Sequence, residues 1–210
     1  GVKGEAILGL EDDAKAFAQT IADTLKAAKK PLIISGTSLQ DPAIMEAAAQ
    51  VAQNLGANAG LTLTVPEVNS MGMAILGGQS LEQAFAQDYD TIVIVENDLY
   101  RRLPAKQIDA ALAKAKDIIV LDHAETETVK KANIVLSAAS FAEGDGTVVS
   151  QEGRGQRFYQ VYDANYDKPE YAIKESWRWI HAIETGVKGQ AISWTVLGEV
   201  IEAVAKNVPA

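Results

Sequence analysis

The sequence has no cysteine. That excludes disulfides, thiolate chemistry and any iron–sulphur cluster held by this chain alone, and it accords with a reducing compartment. Histidine is scarce: His123 and His181 stand far apart in unlike contexts, and neither joins the Asp/Glu/Cys cluster that a transition-metal site needs. Both read as surface or helix-end residues. No apolar run approaches the roughly 20 residues of a membrane-spanning helix. No basic face stands out against a formal net charge of −9, which argues against nucleic acid and anionic membrane as direct partners. No initiator methionine and no charged-then-apolar leader open the chain. It therefore reads as a processed chain or an excised piece without a signal peptide. Phosphate-loop, nucleophile-elbow and paired Ser/His/Asp patterns are also missing. After Ile34 the chain reads Ser-Gly-Thr-Ser-Leu-Gln-Asp, with one glycine where a dinucleotide fingerprint needs three.

What is present is 210 residues, 48% of them hydrophobic, enough to bury a core. Residues 13–30 are predicted as a helix, with Phe17, Ile21, Leu25 and Ala28 on one face, acids at its start and Lys29-Lys30 at its end. Pro31 stops it, and 32–35 is a short buried strand. Asp41 and Pro42 open a second helix whose inward stripe is Ile44, Ala48, Val51 and Leu55, with Gly56 at its end. Residues 61–65 form the next strand, and 66–78 form a long irregular connection. Ser80 with Gln83 is a capping box opening a short helix. Thr91–Val95 is the clearest strand, apolar enough for burial on both faces. Helix 104–114, strand 117–121, short helix 124–131 and strand 134–136 follow.

This alternation predicts an α/β fold: a doubly wound, mainly parallel five-stranded, Rossmann-like sheet. A Gly-rich loop and a C-terminal helical tail complete it. The expected organisation is a Rossmann-like domain over 1–137, a Gly-rich and aromatic segment over 138–168, and a helical tail over 169–210. In the tail a helix is expected over 173–183, with Trp177 and Ile180 on one buried line and Trp179 and Ile183 on another. Ser193 or Thr195 opens a last helix running to 205.

Sheets of this kind bind ligands outside the C-terminal strand ends, which here carry Gly36, Pro66-Glu67, Glu96-Asn97, Asp122 and Ser137. Residues 140–157, Ser-Phe-Ala-Glu-Gly-Asp-Gly-Thr-Val-Val-Ser-Gln-Glu-Gly-Arg-Gly-Gln-Arg, leave from the same edge and hold four of the sixteen glycines. Such a loop either wraps a ligand or partner or is a plain surface loop. Arg154 and Arg157 suit a bidentate grip on an anion and equally suit pinning the loop to neighbouring carboxylates. Glu143, Asp145 and Glu152 lack the spacing of a calcium loop and read as solvated carboxylates. Gly144 and Gly146 are expected to serve a sharp turn, with Glu152, Arg154 and Arg157 as internal pins. The residues alone give no catalytic and no metal-binding site.

From Ala132 the chain reads Ala-Asn-Ile-Val-Leu-Ser-Ala-Ala and runs into the Gly-rich loop and its Gln-Glu-Gly-Arg-Gly-Gln-Arg. This resembles the signature of the molybdopterin oxidoreductase family: Ala-Asp-Val-Val-Leu-Pro, an acidic Gly-Thr turn, then Asn-x-Glu-Gly-Arg-x-Gln. The run Asp122-His-Ala-Glu-Thr-Glu-Thr128 is similar to the family's Asp-x-x-x-Thr-x-Thr, and Glu96-Asn97 to its Gly-Glu-Asn-Pro corner. In active members these strand ends help hold a guanine nucleotide arm of the molybdenum cofactor, molybdopterin guanine dinucleotide. The resemblance makes Asn97, Asp122 and Thr126 the cofactor-pocket candidates. Asp98 stands where that family has proline, Ser137 replaces a second proline, and 66–78 lacks the fuller Gly-rich insert.

The finer flavour, Phe-Ala-Glu-Gly-Asp-Gly-Thr-Val-Val with Ile-Lys-Glu-Ser-Trp-Arg-Trp, resembles one branch: the large iron–sulphur component of bacterial NADH–quinone oxidoreductase, the G subunit of respiratory complex I. That branch implies a redox-silent structural piece of a chain that passes electrons from NADH toward quinone. It implies no cofactor here, iron–sulphur clusters in a region outside this chain, and other complex I peripheral-arm subunits as partners. It also implies a cytoplasmic place, peripheral to the inner membrane. Two alternatives stand beside it: the cofactor-binding part of an active, formate dehydrogenase-like molybdopterin enzyme, and a free-standing nucleotide-binding module.

Overall fold

The computed structural model describes residues 9–39, 41–167, 169–190 and 194–208; Ser193 lies outside them. The chain divides into two compact units, Gly1–Met71 with Val149–Arg154, and Gly72–Val148 with Gly155–Ala210.

The first unit opens with α1 (Asp12–Ala27), whose acids Asp12 and Asp13 lie in its first turn, where the helix dipole favours them. It ends before Lys29-Lys30, because the residue preceding Pro31 is pushed toward extended backbone. Strand β1 (Leu32–Gly36) follows, then α2 (Pro42–Leu55). Asp41 caps α2 by accepting from the Ala43 N–H at 2.9 Å, Pro42 fills its first position, and Gly56 leaves it at φ 89°. Strand β2 (Gly60–Thr64) runs parallel to β1, pairing Leu32 with Gly60 and Gly36 with Thr64. A side chain at Gly36 would sit 2.6 Å from Thr64 Oγ1, so the pairing needs glycine there. Ala52 and Pro31 are the buried apolar residues of this unit among those described. The stripe expected to be inward on α1 is uncovered: Phe17 is 68% exposed, and α1 buries nothing. Helix α3 (Ser70–Leu76), most of whose residues belong to the second unit, takes the place of the irregular connection expected over 66–78. Met71, Ala74 and Ile75 fall at helical spacing there, and Gly77 ends the helix at φ 74°.

In the second unit, α4 (Leu81–Phe85) starts at the expected capping box. Ser80 Oγ accepts from the Gln83 N–H at 3.2 Å, and Gln83 Oε1 accepts from the Ser80 N–H at 3.1 Å. Strand β3 (Thr91–Val95), helix α5 (Ala105–Leu112), strand β4 (Asp117–Asp122) and strand β5 (Ile134–Ser137) complete two parallel crossovers, in the order β3-β4-β5. As the central strand, β4 carries Val120 and Leu121, both fully buried. Ile94, Leu99, Ile108, Leu112 and Ile118 pack with Val120 to make the core. Strand β3 is an edge: Val93 is 47% exposed, so the strand is not buried on both faces as its composition suggests.

All five expected strands form, but not as one five-stranded sheet. The described residues make separate sheets of two, three and two strands. Apolar periodicity marks a strand's existence; which strand it pairs with depends on contacts distant in sequence. The helix expected over 124–131 shrinks to one turn of 3₁₀ helix, Val129–Lys131, because Asp122 and Thr126 draw nearby backbone N–H groups into local turns.

The Gly-rich loop holds strands β6 (Gly146–Val149) and β7 (Gly155–Phe158), a hairpin joined by 150–154, where no regular structure is expected from sequence. Gly153 takes the turn's left-handed backbone at φ 80°, not Gly144 or Gly146. A side chain at Gly146 would lie 2.2 Å from the Phe158 ring, so this glycine serves close packing instead. Short helix α6 (Ala164–Asp167) and a 3₁₀ turn, Pro169–Tyr171, lead to α7 (Ser176–Lys188) and α8 (Leu197–Asn207). Helix α7 starts later than expected because Lys174 is in an extended pairing with Ala138. At α8, Glu199 Oε2 accepts from the N–H groups of Thr195 at 2.6 Å and Val196 at 3.2 Å. No helix among the described residues is long and apolar enough to cross a membrane.

Candidate functional site

The strand ends expected to line one crevice fall in different units: Gly36, Pro66 and Glu67 in the first, Glu96, Asp122 and Ser137 in the second. The three residues matched to a nucleotide arm, Asn97, Asp122 and Thr126, all belong to the second unit, where β3 and β4 end side by side.

Each of the three is drawn into the chain's own hydrogen bonds. Asn97 Oδ1 accepts from Arg102 Nε at 3.1 Å. Asp122 is 8% exposed, and its Oδ1 accepts from the backbone N–H groups of His123 at 2.7 Å and Ala124 at 3.1 Å. Thr126 Oγ1 accepts from the Val129 N–H at 3.2 Å. The bonds at Asp122 and Thr126 close the turn that follows β4, as short polar side chains do when they take backbone donors, while Asn97 holds the Arg102 side chain in the turn after β3.

The connection between these two turns comes from Asp98 and Thr128, to which sequence reasoning assigned no structural role. Thr128 has no exposed surface; its Oγ1 accepts from the Leu99 N–H at 2.8 Å and donates to Asp98 Oδ1 at 2.8 Å. Asp98 also caps the 3₁₀ turn Leu99–Arg101 by accepting from the Tyr100 N–H at 3.3 Å. Asp98 therefore makes a half-buried tie, through Thr128, between the β3 and β4 corners. Both residues stand in stretches that the sequence brought forward, but nothing in the sequence pairs them, since they lie 30 residues apart.

Beside this tie, Tyr100 donates from its hydroxyl to Asp109 Oδ1 at 2.6 Å, and Lys131 Nζ lies 3.0 Å from the same oxygen. Burial first, then Asp109, raises the Tyr100 phenol; the Tyr100 hydroxyl, then Lys131, holds the Asp109 carboxyl below its ordinary value. In the Gly-rich loop, Glu143 Oε2 accepts from the Ser140 N–H at 2.9 Å, which lowers its pKa. Asp145 is lowered chiefly by the Gln160 N–H at 2.6 Å, and less by Arg157, whose Nη2 stands 3.2 Å from Asp145 Oδ2. Glu152 accepts from Ser150 Oγ at 2.8 Å. The loop's carboxylates thus face its own donors. His123 Nδ1 stands 3.4 Å from Asp122 Oδ1, and no group of three or more His, Cys, Asp or Glu residues is set to hold a metal among the described residues.

The donor set fits a guanine nucleotide arm poorly. One acceptor atom at each matched position is taken by a donor of its own corner, the Arg102 guanidinium for Asn97 and backbone N–H groups for Asp122 and Thr126. The Ser137 carbonyl at the end of β5 accepts from the Lys174 N–H at 3.3 Å and from Trp179 Nε1 at 2.9 Å. The arrangement can brace three strand ends; no step of cofactor chemistry follows from it.

A family model described as molybdopterin oxidoreductase matches residues 10–183. Among curated proteins, the chain is 52% identical over 211 residues to the G subunit of NADH-quinone oxidoreductase from Pseudomonas putida, covering 97% of this chain and 23% of that protein. It is 50% identical to the corresponding protein of Pseudomonas fluorescens and 44% identical to that of Escherichia coli (strain K12), with the same coverage of 97% and 23%. The chain therefore spans 23% of the length of the curated relatives it matches. With the strand ends, the Asp122–Thr128 run and the Gly-rich hairpin all inside the matched residues 10–183, the chain belongs to the molybdopterin oxidoreductase family.

Proposed function

We propose that this chain is a redox-silent structural segment of the G subunit of an NADH–quinone oxidoreductase. The observation that carries this reading is the identity of 44–52% across 97% of the chain with proteins of that name. In this role the segment carries no electrons. Clusters bound elsewhere in the same subunit pass them from NADH toward quinone, since a chain without cysteine supplies no thiolates for a cluster. Its partners are other subunits of that complex, and its place is the cytoplasmic, peripheral arm. The silent character is supported by the way Asn97, Asp122 and Thr126 spend acceptor atoms on their own corners.

The test is composition of the purified chain. Metal analysis is expected to find no stoichiometric molybdenum, and oxidation of an extract is expected to release no fluorescent pterin. Stoichiometric molybdenum with pterin would overturn the reading and make Asn97, Asp122 and Thr126 a working pocket.

A further inference from the structure

Non-glycine residues seldom adopt the left-handed backbone region, and where they do the strain marks places that the surroundings over-determine. In the described chain those residues are Glu96, at φ 48°, and Ala172, at φ 49°. They lie far apart in sequence, yet both bound the same short piece of chain. Ala172 precedes it. Glu96, just past β3, receives it: Ser176 Oγ donates to Glu96 Oε1, and Ser176 is buried. Between them the piece runs along the end of β5, with the Ala139 N–H donating to the Lys174 carbonyl at 2.9 Å and the Lys174 N–H to the Ser137 carbonyl at 3.3 Å. Trp179 Nε1 returns to that Ser137 carbonyl at 2.9 Å, and Lys174 Nζ lies 4.8 Å from the Trp179 ring centre. The loop beyond β5 makes room for it: a side chain at Gly144 would stand 2.7 Å from Glu175 Cγ.

We propose that residues 172–179 are a strap across the carboxyl edge of the β3–β5 sheet, with Ala172 as its hinge and Glu96 as its latch. The strap is an internal occupant of that edge, because a ligand seated there competes with it for the Ser137 carbonyl and the Glu96 carboxylate. This rests on the reading of the edge as closed. Within the strap only Ser176 is fully buried, with Ile173, Trp177 and Trp179 half-buried, whereas β4 beneath it buries Val120 and Leu121 completely. A segment held this way opens at lower free energy than the apolar sheet beneath it, and so opens separately.

Residue-resolved hydrogen exchange on the full chain tests this. In Glu96→Ala, exchange at the Ala139 amide and the Trp179 indole is expected to accelerate by about tenfold or more, the scale set by losing a hydrogen bond to a charged group. The amides of Val120 and Leu121 are expected to keep their native protection. Ser176→Ala removes the same bond from the other side, so it should give the same pattern, and the double variant should go no further than either single one. Unchanged exchange in both single variants overturns the latch. Equal acceleration at Val120 and Leu121 overturns the strap as a separate element. Molybdenum in the purified chain would sink the closed-edge reading by an independent measurement, leaving the exchange result to judge the latch.

Discussion

Strand β4 has a strand on each side and helix α5 packed on one face, whereas β1 has helix α2 packed against it but a strand, β2, on one side alone. The first strand buries Val120 and Leu121 fully; the second leaves Leu32 56% and Ile34 65% exposed. Both are short β-branched or leucine-rich runs, so composition does not explain the difference. Both strands have a helix packed on them, so the difference lies in the flanking strands: a central strand has both edges paired and shielded, and an edge strand does not. The apolar stripe of α1 teaches the same lesson for a helix: amphipathic spacing prepares a face, and packing alone buries it.

The largest break in this contrast should come from truncating matched apolar side chains. Ile108→Ala is expected to lose about 2–5 kcal/mol, by transfer and cavity terms together. Ile34→Ala should cost less than about 1 kcal/mol, since its side chain is already largely in water. Urea denaturation followed by far-ultraviolet circular dichroism compares the two; similar losses would mean the first unit has a hidden core.

Next in size is Thr128→Val, which preserves shape but leaves Asp98 and the Leu99 N–H without their buried partner, at a cost of about 1–3 kcal/mol. The same denaturation series reads it, and a neutral result would show that the two corners are not tied through this hydroxyl. Asp41→Ala, in the first unit, removes one cap at about 1 kcal/mol. Its loss should appear as faster amide exchange within α2 and leave β4 untouched, so acceleration at β4 would show that the two units unfold together.

The smallest effect is one of pH. Glu143 and Asp145 have lowered pKa values in the fold, from the backbone N–H groups of Ser140 and Gln160 respectively. Their stabilisation is therefore present above the unfolded carboxylate values of about 4.3 and 3.9 and is lost as pH falls through the lower folded values. The amide resonances of Ser140 and Gln160 should titrate with midpoints below those figures. A midpoint at or above them would detach the carboxylates from the hairpin.

Local chemistry was legible in the sequence wherever one residue acts on its neighbours. The Asp41 cap, the Ser80–Gln83 box and the Thr91–Val95 strand appear as expected. Most of what failed depends on distance along the chain. The partner of β3 and the cover for α1 are decided by residues far from the segment concerned; the hairpin inside the Gly-rich loop is local, but its strands carry glycine and charge in place of an apolar period. At the site, the run from Asp122 pointed to the right corner. The half-buried Thr128–Asp98 bond, between residues 30 apart, could not be seen from either end. Gly146 shows the same limit: a turn was the local reading, and the Phe158 ring was the reason.

The placement of the indoles has an optical consequence. The chain's three tryptophans are Trp177, Trp179 and Trp194, all in the C-terminal region. Emission excited at the red edge of indole absorption therefore reports the carboxy-terminal helices and is blind to the first unit. Trp179 donates to the end of β5, so a shift in its emission marks release of that helix from the sheet, not melting of the sheet itself. A fluorescence transition that precedes the change in circular dichroism would record two events in one molecule.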